Sequence, residues 1–381
     1  MKELISFITT LYDKGLFRDY SSKHMLIKAL TSNEFNFFDD YKAVNRNSIF
    51  NLMTCDKVST FLINFSQKLY LFSTFLKKED FERFITDQLS AGKSKYNEDQ
   101  FIRAVSEVNV LNYFCQYVSQ KFTVIYEPNI NGDGKNPEAR IITEDGIIYD
   151  IEVKTPGFSK DIELGKFNYL LKPNAITSRH NLRELKAYCK MKKIKLMLPW
   201  VLKIKKFIKS AASKFENIKH PRHYNILVIN WTYSEFGPSK LHEPIGLLTN
   251  HLTGLLEDNN SLDKLNISSE EISKISSVII YSDNVDSILS QDFRFHLSDK
   301  SVYLIGNEIL NTKNDYDFLY STLRFPIIDR KSPINDWYPS DYLIRNGSPV
   351  KIINDAQDFF YKLLSRKRKS ILTFFEKFEK Y

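Results

Sequence analysis

The stretch "YNILVINW" (224–231) constrains the fold more than any other feature of this chain. Its β-branched and aliphatic residues favour a strand, and side chains on a strand point alternately to opposite faces. Here apolar residues fall on both faces, as in a strand buried inside a sheet. "ISSVIIYSD" (275–283) reads as another strand. Strands of this kind, separated by segments with helical periodicity, predict an α/β protein: one mixed sheet with helices packed against it.

The upstream segments set the element order. "EDQFIRAVSEVNVLNYFCQYVSQ" (98–120) reads as an amphipathic helix, with Phe101, Val105, Val108, Leu111 and Tyr117 among its apolar positions. "FTVIYEP" (122–128) is rich in β-formers and reads as a strand, followed by turn-rich "NINGDGKNP" (129–137). "EARIIT" and "GIIYDIEVK" then predict two strands of a hairpin around Glu144-Asp145-Gly146. Residues 157–197 are expected to be an insertion of loops and helix. "PWVLKIKKFIKSAASKFENI" (199–218) opens with Pro at a helix start and reads as a basic amphipathic helix. Residues 1–95 look mostly helical, because 57–89 carries apolar residues at three- and four-residue spacing without Pro or Gly. "SAGKSKYNED" (90–99) reads as a linker. The expected organisation is an N-terminal helical region (1–95), a core (96–283) and a C-terminal α/β-to-helical extension (284–381). The tail of that extension (359–381) reads as a basic helix.

The chain has 381 residues, 43% hydrophobic and 26% charged, a globular balance. Cys55, Cys115 and Cys189 are odd in number and far apart, with neither zinc spacing nor a disulfide framework, which fits a reducing cytoplasm. "MKELISFITTLYDKG" lacks the order of a signal peptide, and no apolar run reaches bilayer-spanning length. A cytoplasmic protein with no membrane partner is expected. The net charge is +8, but residues 179–222 alone carry fourteen Lys/Arg against two Glu. The remainder is therefore slightly acidic. Charge runs are usually solvated faces. One this concentrated also suits a groove that tracks phosphates, with Lys192, Lys193, Lys203, Lys205, Lys206, Lys209 and Lys214 as candidate contacts. Lys214 taken by itself reads as a solvated lysine.

In "GIIYDIEVKTP" (146–156), Asp150, Glu152 and Lys154 share one strand face, opposite Tyr149, Ile151 and Val153. Alone, that face reads as a solvated edge with weak ion pairs. Its surroundings add Glu107 in the preceding helix and Glu138 at the start of the second strand. Acids from neighbouring strands can supply part of the oxygen shell of Mg²⁺ and leave positions open for water and a phosphate oxygen. A lysine one strand period from an acid can orient the water or neutralise developing charge.

"NPEARI" followed by "YDIEVKTP" resembles the PD-(D/E)xK nuclease superfamily, the restriction-endonuclease-like fold, over roughly residues 98–231. The resemblance implies a core of helix, three strands, helix and strand. Pro137-Glu138 then stands for the PD element, Glu152-Val153-Lys154 for the ExK element, and Glu107 for the helix acid. Lys214 falls where several members carry Gln or Lys. By this resemblance Glu138, Glu152 and Lys154 are catalytic. Glu138 and Glu152 hold Mg²⁺ (Mn²⁺ as substitute), Glu107 and Asp150 are auxiliary acids, and the Val153 carbonyl completes the ligands. Glu138 departs from the usual Asp and reaches one methylene further. The implied activity is metal-dependent hydrolysis of phosphodiester bonds, in DNA, for restriction, phage defence, mobile elements or repair. A homodimer or protein partner would use the terminal regions. The rival is an inactive nuclease-like protein that docks nucleic acid or acts as a scaffold. Carboxyl groups of Glu138 and Glu152 more than about 8 Å apart would exclude a shared ion. His220 and His223 read as a local turn, and "GDGKNP" lacks the context of a phosphate loop.

Overall fold

Every residue from Tyr224 to Trp231 is buried, as an apolar run on two faces requires. In the computed structural model this run forms an interior strand of a six-stranded mixed sheet. The structure describes residues 68–69, 71–88, 98–118, 121–130, 132, 134–156, 169–172, 190, 194–196, 200–231, 241–249, 254–257, 266–282, 302–328, 342–345 and 348–351. The expected helices before residue 68, the tail helix, Lys192, Lys193, Cys55 and Cys189 lie outside the described residues.

Along the described chain, α1 (Lys78–Arg83) runs into a π-type turn (Phe84–Gln88), followed by α2 (Glu98–Tyr117). Three strands come next: β1 (Phe122–Tyr126), β2 (Ala139–Thr143) and β3 (Ile148–Lys154). Then follow β4 (Tyr169–Lys172), β5 (Ile194–Leu196), α3 (Trp200–Lys214), β6 (His223–Asn230), α4 (His242–Thr249) and α5 (Ser269–Ser273). The last elements are β7 (Ser277–Tyr281), β8 (Val302–Gly306), α6 (Tyr316–Leu323), β9 (Tyr342–Arg345) and β10 (Ser348–Lys351).

The chain divides into two compact units. The first comprises Met1–Phe158, Ser210–Leu241 and Ser273–Ile328; the second comprises Ser159–Lys209, His242–Ile272 and Asp329–Tyr381. In the first unit the sheet order is β1-β2-β3-β6-β7-β8. The meander β1–β2–β3 is antiparallel, β3–β6 and β6–β7 are parallel, and β7–β8 is antiparallel. Gly146 closes the β2–β3 turn with φ 75°, a conformation that residues with a Cβ rarely adopt. Parallel pairing needs a crossover, and the chain between β3 and β6 supplies it. β8 comes from 302–306, beyond the expected core boundary at 283. So short an apolar run does not declare its element by periodicity.

The odd-numbered face of β3 packs against α2, where Phe114 meets Tyr149 with ring centroids 6.4 Å apart. The expectation that α2 is amphipathic is corrected: residues 104–115 are all buried, Ser106, Glu107, Asn109 and Asn112 included. Two of the polar members hold partners from the segment before α1: Lys68 Nζ donates to Asn109 Oδ1 at 2.9 Å, and Asn112 Nδ2 to the Lys68 carbonyl. Phe72, Phe84 and Tyr126 add edge-on aromatic contacts on the same side.

In the second unit a smaller sheet runs β10-β9-β4-β5. Two of its strands come from the 157–197 segment, so the expectation of loops and helix alone is corrected there. Three- and four-residue strands are too short to carry a readable alternation.

Candidate active site

The hairpin register decides which acids meet. Ala139 lies opposite Ile151, and Arg140 opposite Asp150. One more rung of that ladder sets Glu138 against Glu152. Pro137, next back along the chain, has no N–H to donate, so it suits the end of the ladder. On the other side, the Glu127 N–H donates to the Glu138 carbonyl at 2.9 Å. Glu127 turns away from β1 with φ 42° and pairs with Arg83 at 3.4 Å.

Glu152 is fully buried, and Glu138 keeps 15% of its side-chain exposure. Lys214, the last residue of α3, reaches both. Its Nζ lies 2.8 Å from Glu152 Oε1, 3.0 Å from Oε2 and 3.6 Å from Glu138 Oε1. The two Oε1 atoms therefore cannot be further apart than the sum, 6.4 Å. Two oxygens on one Mg²⁺ lie at most about 4.2 Å apart, so closing on a shared ion asks for a shift of no more than about 2.2 Å between them. Lys154, two residues along β3 and on the same face, forms an ion pair with Glu152 Oε1. Glu107 arrives from α2, buried, and accepts a hydrogen bond from the Tyr126 hydroxyl at 2.9 Å.

Three carboxyl groups and two ammonium groups thus converge where β2 begins and β3 ends. Burial pushes the Glu138 carboxyl up to about 7, the charge on Glu152 adds to this, and Lys214 and Lys154 oppose it. Glu107 is raised well above the usual carboxylate range by burial, then by Glu138, against the hydrogen bond from Tyr126. Burial works against the charge on Lys214, but Glu138 and Glu152 outweigh it and hold its ammonium above the usual lysine range.

The remaining predicted residues go elsewhere. Asp150 is buried in a bidentate pair with Arg140, at 2.7 Å to each oxygen, and accepts from His223 Nε2 at 3.0 Å. His223 Nδ1 accepts from the Lys219 N–H, so the ring proton is on Nε2. Glu216 also pairs with Arg140, and with Lys219 at 2.8 Å. Asp150, Glu216 and His223 each bring a ligand-type atom within 4.8 Å of the others. The Arg140 guanidinium already serves both acids there, which makes this a compensated polar pin between the hairpin and β6. His223 begins β6, and only His220 sits in the expected turn. Val153 lies between the two motif residues, beyond the last β2–β3 pair at Ile151, while β6 pairs with β3 as far as Lys154.

Of the candidate phosphate contacts on α3, Lys209 pairs with Glu271 at 2.9 Å and donates to the Asn266 carbonyl. Lys203 lies over the Phe207 ring, and Lys206 is exposed. Lys214 is placed among the acids, correcting its reading as a solvated lysine. Tyr126 was not singled out by sequence reasoning. The available signal was that a buried tyrosine hydroxyl needs a polar partner.

The donor set fits a hard divalent cation: it is all oxygen and anionic, and its two hairpin carboxylates already share the Lys214 ammonium. Asn136 Oδ1 and Thr155 Oγ1, in the segments flanking the two motif halves, are buried oxygens without a hydrogen-bond partner. No family model, curated protein or solved structure matches this chain. Among the described residues no helix is long and apolar enough to cross a membrane.

Proposed function

We propose that this protein is a metal-dependent nuclease that hydrolyses phosphodiester bonds in DNA, with the restriction-endonuclease-like core that its motifs resemble. The observation that carries the reading is the convergence of Glu138, Glu152 and Lys154, fourteen and two positions apart, at one end of a hairpin. Glu138 and Glu152 would hold Mg²⁺ or Mn²⁺, with Glu107 as an auxiliary acid. When bound, the ion lowers the pKa of a coordinated water and stabilises charge on the scissile phosphate. Lys154 presents its ammonium beside these acids, suited to orient the attacking water or to neutralise the developing charge. Tyr126 fixes the position of the Glu107 carboxyl. The longer reach of Glu138, compared with Asp, is accommodated because Glu138 stands one residue before the strand proper. Exposed lysines such as Lys206 add charge for a polyanion.

The test is cleavage of supercoiled plasmid by the purified full chain with Mg²⁺ or EDTA, with Lys154→Ala beside it. Cutting that needs the ion and is lost in the variant supports the nuclease. Salt-sensitive DNA binding without cutting, unchanged in Lys154→Ala, supports an inactive docking protein instead.

A further inference from the structure

We infer that Lys214 is the resident cation of the acid pair in the metal-free protein, and that a divalent ion binds by displacing its ammonium. The inference rests on the nuclease reading above and extends it to the regulation of that site. Lys214 Nζ touches both oxygens of Glu152 and approaches Glu138 at 3.6 Å, which is the position a cation shared by the two acids would take. Lys154 does not duplicate it: among the described residues its ion pair is with Glu152, on its own strand. An ion held by the two acids would compete with the Lys214 ammonium for the same oxygens, and Lys154 already places a second positive charge at Glu152 Oε1, so repulsion favours one of the two leaving. The side chain has somewhere to go. Its stem carries four rotatable bonds, it is 21% exposed, and it ends a helix whose last turn presents carbonyl groups that favour a cation.

Lys214 then has two opposed effects. It keeps the buried acids compensated and the fold intact before the ion arrives, and it lowers the affinity for the ion by competing for the same oxygens. A released ammonium would leave positive charge near the acid pair, available to a substrate phosphate.

The experiment is Mn²⁺ binding by the full chain at pH 8.0, followed through the free-Mn²⁺ electron paramagnetic resonance signal without nucleic acid. Wild type is compared with Lys214→Met and Lys214→Gln, each checked for its fold by circular dichroism. Lys214→Met keeps an apolar stem, and Lys214→Gln keeps a neutral donor, so either folded variant suffices. We expect at least tenfold tighter Mn²⁺ binding in the variants, equivalent to about 1.4 kcal/mol. Equal or weaker binding in a folded variant overturns displacement while leaving the nuclease reading in place. Should neither wild type nor variants bind Mn²⁺, both fall. Glu138→Gln introduced into the Lys214→Met background must cancel the gain; a gain that survives it locates the ion elsewhere and overturns the inference.

Discussion

Replacing Glu138 by Gln should make the metal-free protein more stable at alkaline pH. In the folded state the Glu138 carboxyl titrates at about 7, against 4.5 for an unburied glutamate. The fold therefore prefers the protonated form, and the native state holds more protons than the unfolded chain between those two values. Stability is fully present below about 4.5 and is lost as pH rises through 7. A gap of about 2.5 pH units corresponds to about 3 kcal/mol at pH 8.5. Gln is nearly isosteric and carries no charge, so it removes this penalty. It also removes one of the two acids facing Lys214, which keeps Glu152 at 2.8 Å. The net gain should be about 1–3 kcal/mol at pH 8.5, falling to near zero at pH 4, where Glu138 is protonated in both states. Urea unfolding in EDTA at several pH values, followed by tryptophan fluorescence, measures it. A variant that is no more stable than wild type at pH 8.5, or a difference that does not change with pH, refutes the reasoning. Added Mg²⁺ should reverse the ranking, because binding to the native state stabilises wild type and leaves the variant unaffected.

Other substitutions separate the two polar clusters. Asp150→Ala breaks a buried bidentate pair with Arg140 and should cost about 3–5 kcal/mol in urea unfolding, while Mn²⁺ affinity of the folded fraction stays within twofold of wild type. Tyr126→Phe removes the donor that holds the Glu107 carboxyl down, so the pH midpoint of Mn²⁺ binding should move upward, as read from titrations between pH 6 and 9. Ile226→Ala, in the fully buried centre of β6, should lower stability by about 2–5 kcal/mol in the same unfolding assay. Ile125→Ala, 40% exposed on β1, should change it by less than about 0.5 kcal/mol.

The local order of the core was legible before any coordinates. Period-two alternation marked β3, a near-continuous apolar run marked β6, and Glu144-Asp145-Gly146 marked the turn between β2 and β3, because side-chain direction and turn chemistry are local properties. Position within a hairpin is nearly local too, so Glu138 and Glu152 could be paired by counting outward from the turn. The second unit escaped, since three- and four-residue strands have no measurable period, and so did β8.

Charge was the least legible property. Asp150 and Glu152 stand two residues apart on one face of one strand, and their sequence context treats them alike. Packing separates them: Arg140 across the ladder and His223 on β6 take Asp150, while Glu152 goes to Lys154 and Lys214. Lys214 looked like one more member of a basic helix until its neighbours were known. The alternation, the turn and the buried run depended on each residue and its chain neighbours, so the sequence alone determined them. Which acid meets which base depended on contacts between residues up to 76 positions apart, so only the tertiary structure could decide it.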